Sequence, residues 1–405
     1  MHGVSLYVCA ILGAGVLTLP GQVASLAGPA SLVAWIFVIC MSIPLAFTFA
    51  QLGTEFPDSG GVAVFAARAF GDVAGGIAGW WYFIAGSVGQ TIVPLTAGYY
   101  LVDAFGLSQG LAPFFGLAIL AASVCVTLSG LRFGGWVQMV LAAGVCIILV
   151  IAIVAALPEI QWSQMTPFAP AGTAAIGSAG VVLFYAFSGW EAVVHMAGDF
   201  RDVGRNLPRA TAITLVTVAV LYLGAALAVV GTHSYGTAEM DRVSLAVVVS
   251  RKLGVSTGLA VGLAAAVICL ATTTAFLSSI ASLGTALGRD GWAPKALTRR
   301  NRRGAPSTAV ATVAGIGVLG LLLCVVAQWG TADLVAVPAT LVLTTYLVAS
   351  AAGMRLLRGK QRLLPGLSFA MAAVVAPSAG AHLLIAAGIA LAVALAGLWR
   401  RQVPG

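Results

Sequence analysis

Charge is what this sequence lacks. Of its 405 residues only 8% are Asp, Glu, Lys or Arg, against 60% hydrophobic, and the mean hydropathy is +1.04. A soluble surface carries roughly a quarter to a third of such charges, so a water-soluble enzyme or scaffold is excluded. The few charges are also unevenly spread. None precedes Glu55, and charge-free stretches run 73–102, 104–131, 133–158, 160–190, 210–238, 253–288, 304–332, 334–354 and 363–399. Two further absences narrow the field. There is no G-x-x-x-x-G-K-[ST] phosphate loop, which removes the usual engine of ATP-driven pumping. The six cysteines (Cys9, Cys40, Cys125, Cys146, Cys269, Cys324) have no paired spacing and fall inside apolar stretches, so they read as small packing residues, with neither disulfides nor a metal expected.

What is present is hydrocarbon in long runs. About 20 apolar residues cross a bilayer as a helix. The first and last stretches are long enough for two spans each, divided near Gly28-Pro29 and Pro377-Ser378-Ala379-Gly380. The expectation is an all-α integral membrane protein of about 12 transmembrane helices. The first helix has no basic leader and no evident cleavage site, so it reads as a retained span. An even number of spans puts both termini on one side. Of the 20 basic residues, all but Arg242, Arg251 and Lys252 fall in the C-terminus or the loops after even-numbered spans. That asymmetry predicts cytoplasmic termini in a cell inner (cytoplasmic) membrane. The net charge of +8 then reflects topology and attraction to anionic lipid; RRNRR at 299–303 is a solvated juxtamembrane loop, and no nucleic-acid partner is implied.

The 49 glycines predict close helix–helix approach. The connection at about 232–254 is polar enough for a short surface helix, and EFPDSGGVAVFAARAFG (55–71) reads as a turn leading into a short amphipathic segment on the cytoplasmic interface. Two spans are interrupted at corresponding places. Span 1, YVCAILGAGVLTLPG, carries Gly13 and Gly15 around Ala14, with Pro20 beyond; span 6, LFYAFSGWEAVVHM, carries Ser188-Gly189 at mid-depth. A break frees backbone N–H and C=O groups, tolerated in a membrane only inside protein or along a cavity. Helix N-termini at a break favour an anion and freed carbonyls favour a cation. An amino acid zwitterion carries both. Paired interruptions of this kind point to a transporter site.

Four blocks, GAGVLTLP (13–20), FPDSGGVAVFAARAFG (56–71), FSGWEAVVHMAGDFRDVGRNLPRA (187–210) and ALGRDGWAPKALTRRNRRGAPSTA (286–309), together resemble the amino acid–polyamine–organocation superfamily of permeases. The brevity of the chain and the GWEAVVH run are most similar to its neutral amino-acid efflux branch. The resemblance implies one transmembrane domain with a LeuT-type fold. Its five-plus-five inverted repeat would occupy about 2–156 and 172–352, with broken helices 1 and 6, and two C-terminal helices would follow at about 362–400. It implies substrate binding by Ile11, Gly13, Ala14 and Gly15, whose N–H groups would meet a carboxylate, and by Phe187, Ser188 and Gly189, where the carbonyls from Tyr185 to Ser188 would meet an ammonium. Gln90 would be a polar substrate contact, and Tyr82, Tyr185 and Trp190 are the gate candidates. No cofactor is implied. Some proton-coupled members carry a lysine in span 5, and this chain has none there; Thr273 and Thr274 in span 8 offer hydroxyls that could join a sodium site.

Glu191 is the one acid placed deep within a span. A charge at mid-bilayer costs about 2.5–3.5 kcal/mol on insertion scales and by default marks function. Its functional reading is a group that changes protonation or hydrogen bonding during transport; the alternative is a packing anchor that never titrates. His195, one turn on, is either its proton partner or a structural histidine near the cytoplasmic end. An intramembrane enzyme using Glu191 and His195 would need a further ligand or nucleophile, and E-x-x-x-H is not a zinc motif. The leading expectation is a secondary transporter of small neutral amino acids such as leucine, isoleucine, valine or methionine. Export or exchange is drawn from the efflux branch, and proton- or sodium-coupled import stands as the alternative.

Overall fold

The computed structural model describes residues 11–13, 15–56, 61–129, 135–191 and 203–402. All regular structure among them is helical, in fifteen α-helices joined by 3-10 turns and loops. Eight helical segments among the described residues are long and apolar enough to cross a bilayer. One of these, Gly15–Glu55, is two helices: α1 (Gly15–Ala27) and α2 (Ser31–Glu55), parted by a 3-10 turn at Gly28–Ala30. Gly28 takes φ +61° there and Pro29 follows it, so the chain turns where glycine tolerates the backbone and proline starts the next helix.

Three short helices lie outside the long ones. The segment after α2 folds as α3 (Val62–Phe70), which buries Val62, Phe65, Ala66 and Ala69 and leaves Arg68 stacked over the Phe56 ring at 5.1 Å. Further along come α4 (Asp72–Ala104), α5 (Ala112–Leu128), α6 (Gly135–Ala156), α7 (Ala174–Ala186) and α8 (Val203–Gly231). The polar connection after α8 holds two helices where the sequence led us to expect one, α9 (Ala238–Arg242) and α10 (Ser244–Leu253), and both pack on α1. The chain ends with α11 (Val255–Arg289), α12 (Ser307–Ala327), α13 (Thr331–Leu356), α14 (Leu363–Val375) and α15 (His382–Gln402).

The helices are apolar all round, so burial divides one hydrophobic face from another. On α8, Val216 and Val220 are 65% and 64% exposed while Tyr222 is fully buried. The outer stripe is as oily as the core, as expected of a helix whose solvent is lipid. At 33 residues, α4 is about 50 Å long and is the central post. It packs against α3, α5, α11, α12, α13 and α15. Beside it α1 and α7 pack on one another, with α8 against α1 and α2 against α7. The bundle thus sets the two interrupted segments side by side.

Candidate functional site

Both interruptions are visible in the backbone. Leu12 and Gly13 form a bend ahead of α1, with the Gly13 N–H donating to the Ile11 carbonyl at 2.8 Å. At the second, α7 stops at Ala186 and a turn runs through Glu191. Gly189 takes φ +122°, a conformation that a side chain would strain, which is why Ser-Gly ends this helix. The Ser188 hydroxyl turns back to donate to the Tyr185 carbonyl at 2.8 Å. The two breaks touch: a Cβ on Gly15 would sit 3.1 Å from the Ala186 Cα.

A cavity opens beside that contact. Ile11, Gly13 and Gly15 line it from the first break, and Tyr185, Ala186 and Ser188 from the second. α4 contributes Tyr82, Ala85, Gly86, Gly89, Gln90 and Val93; α11 adds Thr272 and Phe276, and α13 adds Val342. No charged side chain lines it among the described residues. Gln90 is 1% exposed, and neither its carboxamide oxygen nor its nitrogen finds a partner among the described residues. Such a group costs about 1–3 kcal/mol if left unpaired, so the cavity wall holds a donor and an acceptor in want of partners.

Glu191 stands behind the wall. Its carboxylate accepts hydrogen bonds from the Tyr82 hydroxyl, the Tyr346 hydroxyl at 2.5 Å and the Gly189 N–H at 3.2 Å. The Gly189 N–H also points at the Tyr346 oxygen, 3.2 Å away. Glu191 is 4% exposed and has no ion-pair partner among the described residues. Three donors replace the water that burial removes, which is how a buried carboxylate is tolerated without a cation. Tyr82 lines the cavity as well, so the carboxylate sits one hydroxyl from its contents.

The sequence pattern of the amino acid permease family matches residues 4–398. The chain belongs to that family. It is therefore a multi-pass membrane protein that transports amino acids, and its relatives carry transporter names. An uncharacterized amino acid permease, YecA of Bacillus subtilis (strain 168), is 31% identical over 73% of this chain and 69% of its own. The L-methionine/branched-chain amino acid exporter YjeH of Escherichia coli (strain K12) is 28% identical over 100% of this chain and 96% of its own. The branched-chain amino acid permease BcaP of Lactococcus lactis subsp. cremoris (strain MG1363) is 24% identical over 76% and 72% respectively.

In the permease, the expected site residues divide into groups. Ile11, Gly13, Gly15, Tyr82, Gln90, Tyr185 and Ser188 share the cavity wall. Phe187 and Trp190 are buried away from it, the Phe187 ring packing edge-on to Tyr222 at 5.1 Å. Gly189 presents its N–H to the Glu191 carboxylate and not to the cavity. Thr274 donates to the Leu270 carbonyl one turn back at 2.7 Å, the ordinary habit of a helix hydroxyl, whereas the Thr273 hydroxyl is buried with no partner among the described residues. Ala14 and His195 lie outside the described residues. The carbonyls expected to receive an ammonium already face protein hydroxyls: Tyr185 accepts from Ser188, and the Ala186 and Phe187 oxygens lie 3.1 and 3.3 Å from the hydroxyl oxygens of Tyr222 and Tyr346, whose shorter bonds go to Ile11 and Glu191.

Two tyrosines of the site, Tyr222 and Tyr346, escaped sequence reading. Each is the one phenol in an uncharged, largely apolar run, VAVLYLGAA and LVLTTYLVAS. A buried tyrosine hydroxyl needs a partner, and that signal could have flagged them. Only the fold reveals that their partners belong to the breaks, Tyr222 reaching both and Tyr346 the second.

Proposed function

We propose that this permease binds a neutral amino acid between its two helix breaks and carries it across the cytoplasmic membrane by alternating access, as an exporter or exchanger. The carrying observation is the cavity at the Gly15–Ala186 contact, walled by backbone and apolar groups with no charged side chain among the described residues. A cationic or dianionic side chain would enter such a wall without a counter-charge, whereas leucine, isoleucine, valine or methionine would meet Val93, Phe276 and Val342. The substrate's charged ends would meet the backbone of Gly13 and Gly15 and the end of α7. Efflux as the direction is supported by the full-length likeness to an exporter of methionine and branched-chain amino acids.

In this reading the chain has about 12 spans. Residues of about 2–156 and 172–352 form two inverted repeats, two further helices occupy about 362–400, and both termini are cytoplasmic. Glu191 is the group whose protonation would be coupled to transport, because it reaches the cavity through Tyr82. Sodium is the weaker candidate, since one of the two expected hydroxyls is already bonded within its own helix. Counterflow in proteoliposomes, with labelled amino acids and imposed proton or sodium gradients, tests the reading. Exchange of neutral apolar amino acids is expected, and flux restricted to cationic or non-amino substrates would overturn it.

A further inference from the structure

We propose that the loop joining α11 to α12 is a built binding site for the headgroup of an anionic membrane lipid, shaped by Asn301. Within residues 299–303 it carries Arg299, Arg300, Arg302 and Arg303, and all four are exposed. None forms an ion pair among the described residues; the acid of the same connection, Asp290, pairs with Arg289. Four like charges this close repel one another. A phosphate relieves that repulsion and accepts the paired N–H donors of a guanidinium.

A loose basic loop would only gather counter-ions, and this one is fixed. The Asn301 side chain donates to the Leu128 carbonyl at the end of α5 at 2.8 Å, and its oxygen accepts from the N–H groups of Arg303 and Ala305, both at 3.0 Å. Its backbone closes the same bend: the Asn301 N–H donates to Ala305, and its carbonyl accepts from Gly304, each at 2.9 Å. Gly304 takes φ +81°, a conformation that glycine adopts freely. The Arg300 guanidinium donates to the Gly304 carbonyl at 2.8 Å and is held over the bend. Just before the arginines, Leu297 is buried in one cluster with residues of α11 and α12, and its carbonyl accepts from Thr285 of α11 at 3.2 Å. The arginines therefore stand on a platform tied to α5, α11 and α12.

The occupant follows from where that platform stands. α5, α11 and α12 are each long and apolar enough to cross a bilayer, so the loop at their shared end lies at headgroup depth. Leaving the loop at Ser307, α12 turns Ala311, Gly315 and Leu319 outward at four-residue intervals, which makes one apolar lane on its exposed face. A soluble anion would use the arginines alone; a phospholipid uses the lane as well.

The test takes full-length protein in phosphatidylcholine nanodiscs and titrates it with a short-chain fluorescent phosphatidylglycerol. Saturable binding is expected, and its absence overturns the proposal. Arg302→Gln with Arg303→Gln should weaken binding about thirtyfold. Arg358→Gln with Lys360→Gln removes equal charge from another exposed loop and should change it less than about threefold; equal losses overturn the site. Asn301→Ala keeps every charge and should weaken binding about fivefold to tenfold, with helix content unchanged by circular dichroism. Wild-type affinity in that variant reduces the loop to general electrostatics and overturns the proposal. If Asn301→Ala does not fold, hydrogen exchange in the lipid-free wild type decides: the Arg303, Gly304 and Ala305 amides should be protected, and free exchange sinks the built site. Glycerophosphoglycerol and inorganic phosphate form the last arm. Neither should compete at the concentration of the lipid, and equal competition by either would make the ligand a soluble anion and overturn the lipid assignment.

Discussion

Glu191 has three donors and no cation within its reach among the described residues. A carboxylate can only accept, so each of those donors is matched. Replacing it with glutamine turns one oxygen into an NH2 group and sets donor against donor. Hydrogen bonds to a charged group contribute about 1.5–3 kcal/mol each, so Glu191→Gln should change the transport rate about tenfold or more and flatten its pH dependence. Flux measured across a pH series checks this, and a wild-type profile would end the titrating role. That Glu191 is special was legible in sequence, because an acid inside an apolar run is costly anywhere. Its tyrosine partners were not, since Tyr346 is 155 residues away and only the fold joins them. Gln90 was named through family likeness. Its unpaired carboxamide is a structural fact that no spacing could supply.

The decisive elements are α1 and α7, which meet where Gly15 leaves little room for a side chain against Ala186. A Cβ on Gly15 would lie 3.1 Å from the Ala186 Cα, and backbone does not step aside as a flexible side chain does. Gly15→Val should therefore part the two breaks. Overpacking of this kind costs roughly 1–3 kcal/mol. The expected result is loss of substrate-induced thermal stabilisation with helix content retained, as circular dichroism would report; undiminished stabilisation would count against the site. The Gly-Ala-Gly and Ser-Gly interruptions were readable as breaks because glycine is permissive and proline removes a donor. Less readable was what the freed carbonyls do. Sequence logic reserves them for a substrate ammonium, whereas the hydroxyls of Tyr222, Tyr346 and Ser188 already sit against those at the end of α7. Each carbonyl has a second lone pair, so a ligand would join these donors.

At the scale of the whole molecule, the outer face of α8 makes a direct test of membrane embedding. Val220 is 64% exposed on a helix buried on its other side. An arginine there would face lipid at a cost of about 2.5–3.5 kcal/mol if it lies at mid-bilayer. Val220→Arg should sharply lower the amount of folded protein recovered from membranes, whereas a solvated surface would absorb the change. Length and hydropathy made the helical membrane architecture plain. The order in which helices pack around α4 was not, because apolar faces that look alike in sequence separate into lipid-facing and buried only in the bundle. One arrangement in that bundle also bears on speed. Tyr82 stands on α4 and Tyr346 on α13, yet both grip the single carboxylate after α7. Any rocking that draws those two helices apart must first release it, and a barrier of about 1.5–3 kcal/mol slows opening roughly ten- to a hundredfold. If transport rocks those helices apart, the carboxylate would be a clock as well as a contact, setting a minimum dwell before the path reopens and guarding against leak at the expense of turnover.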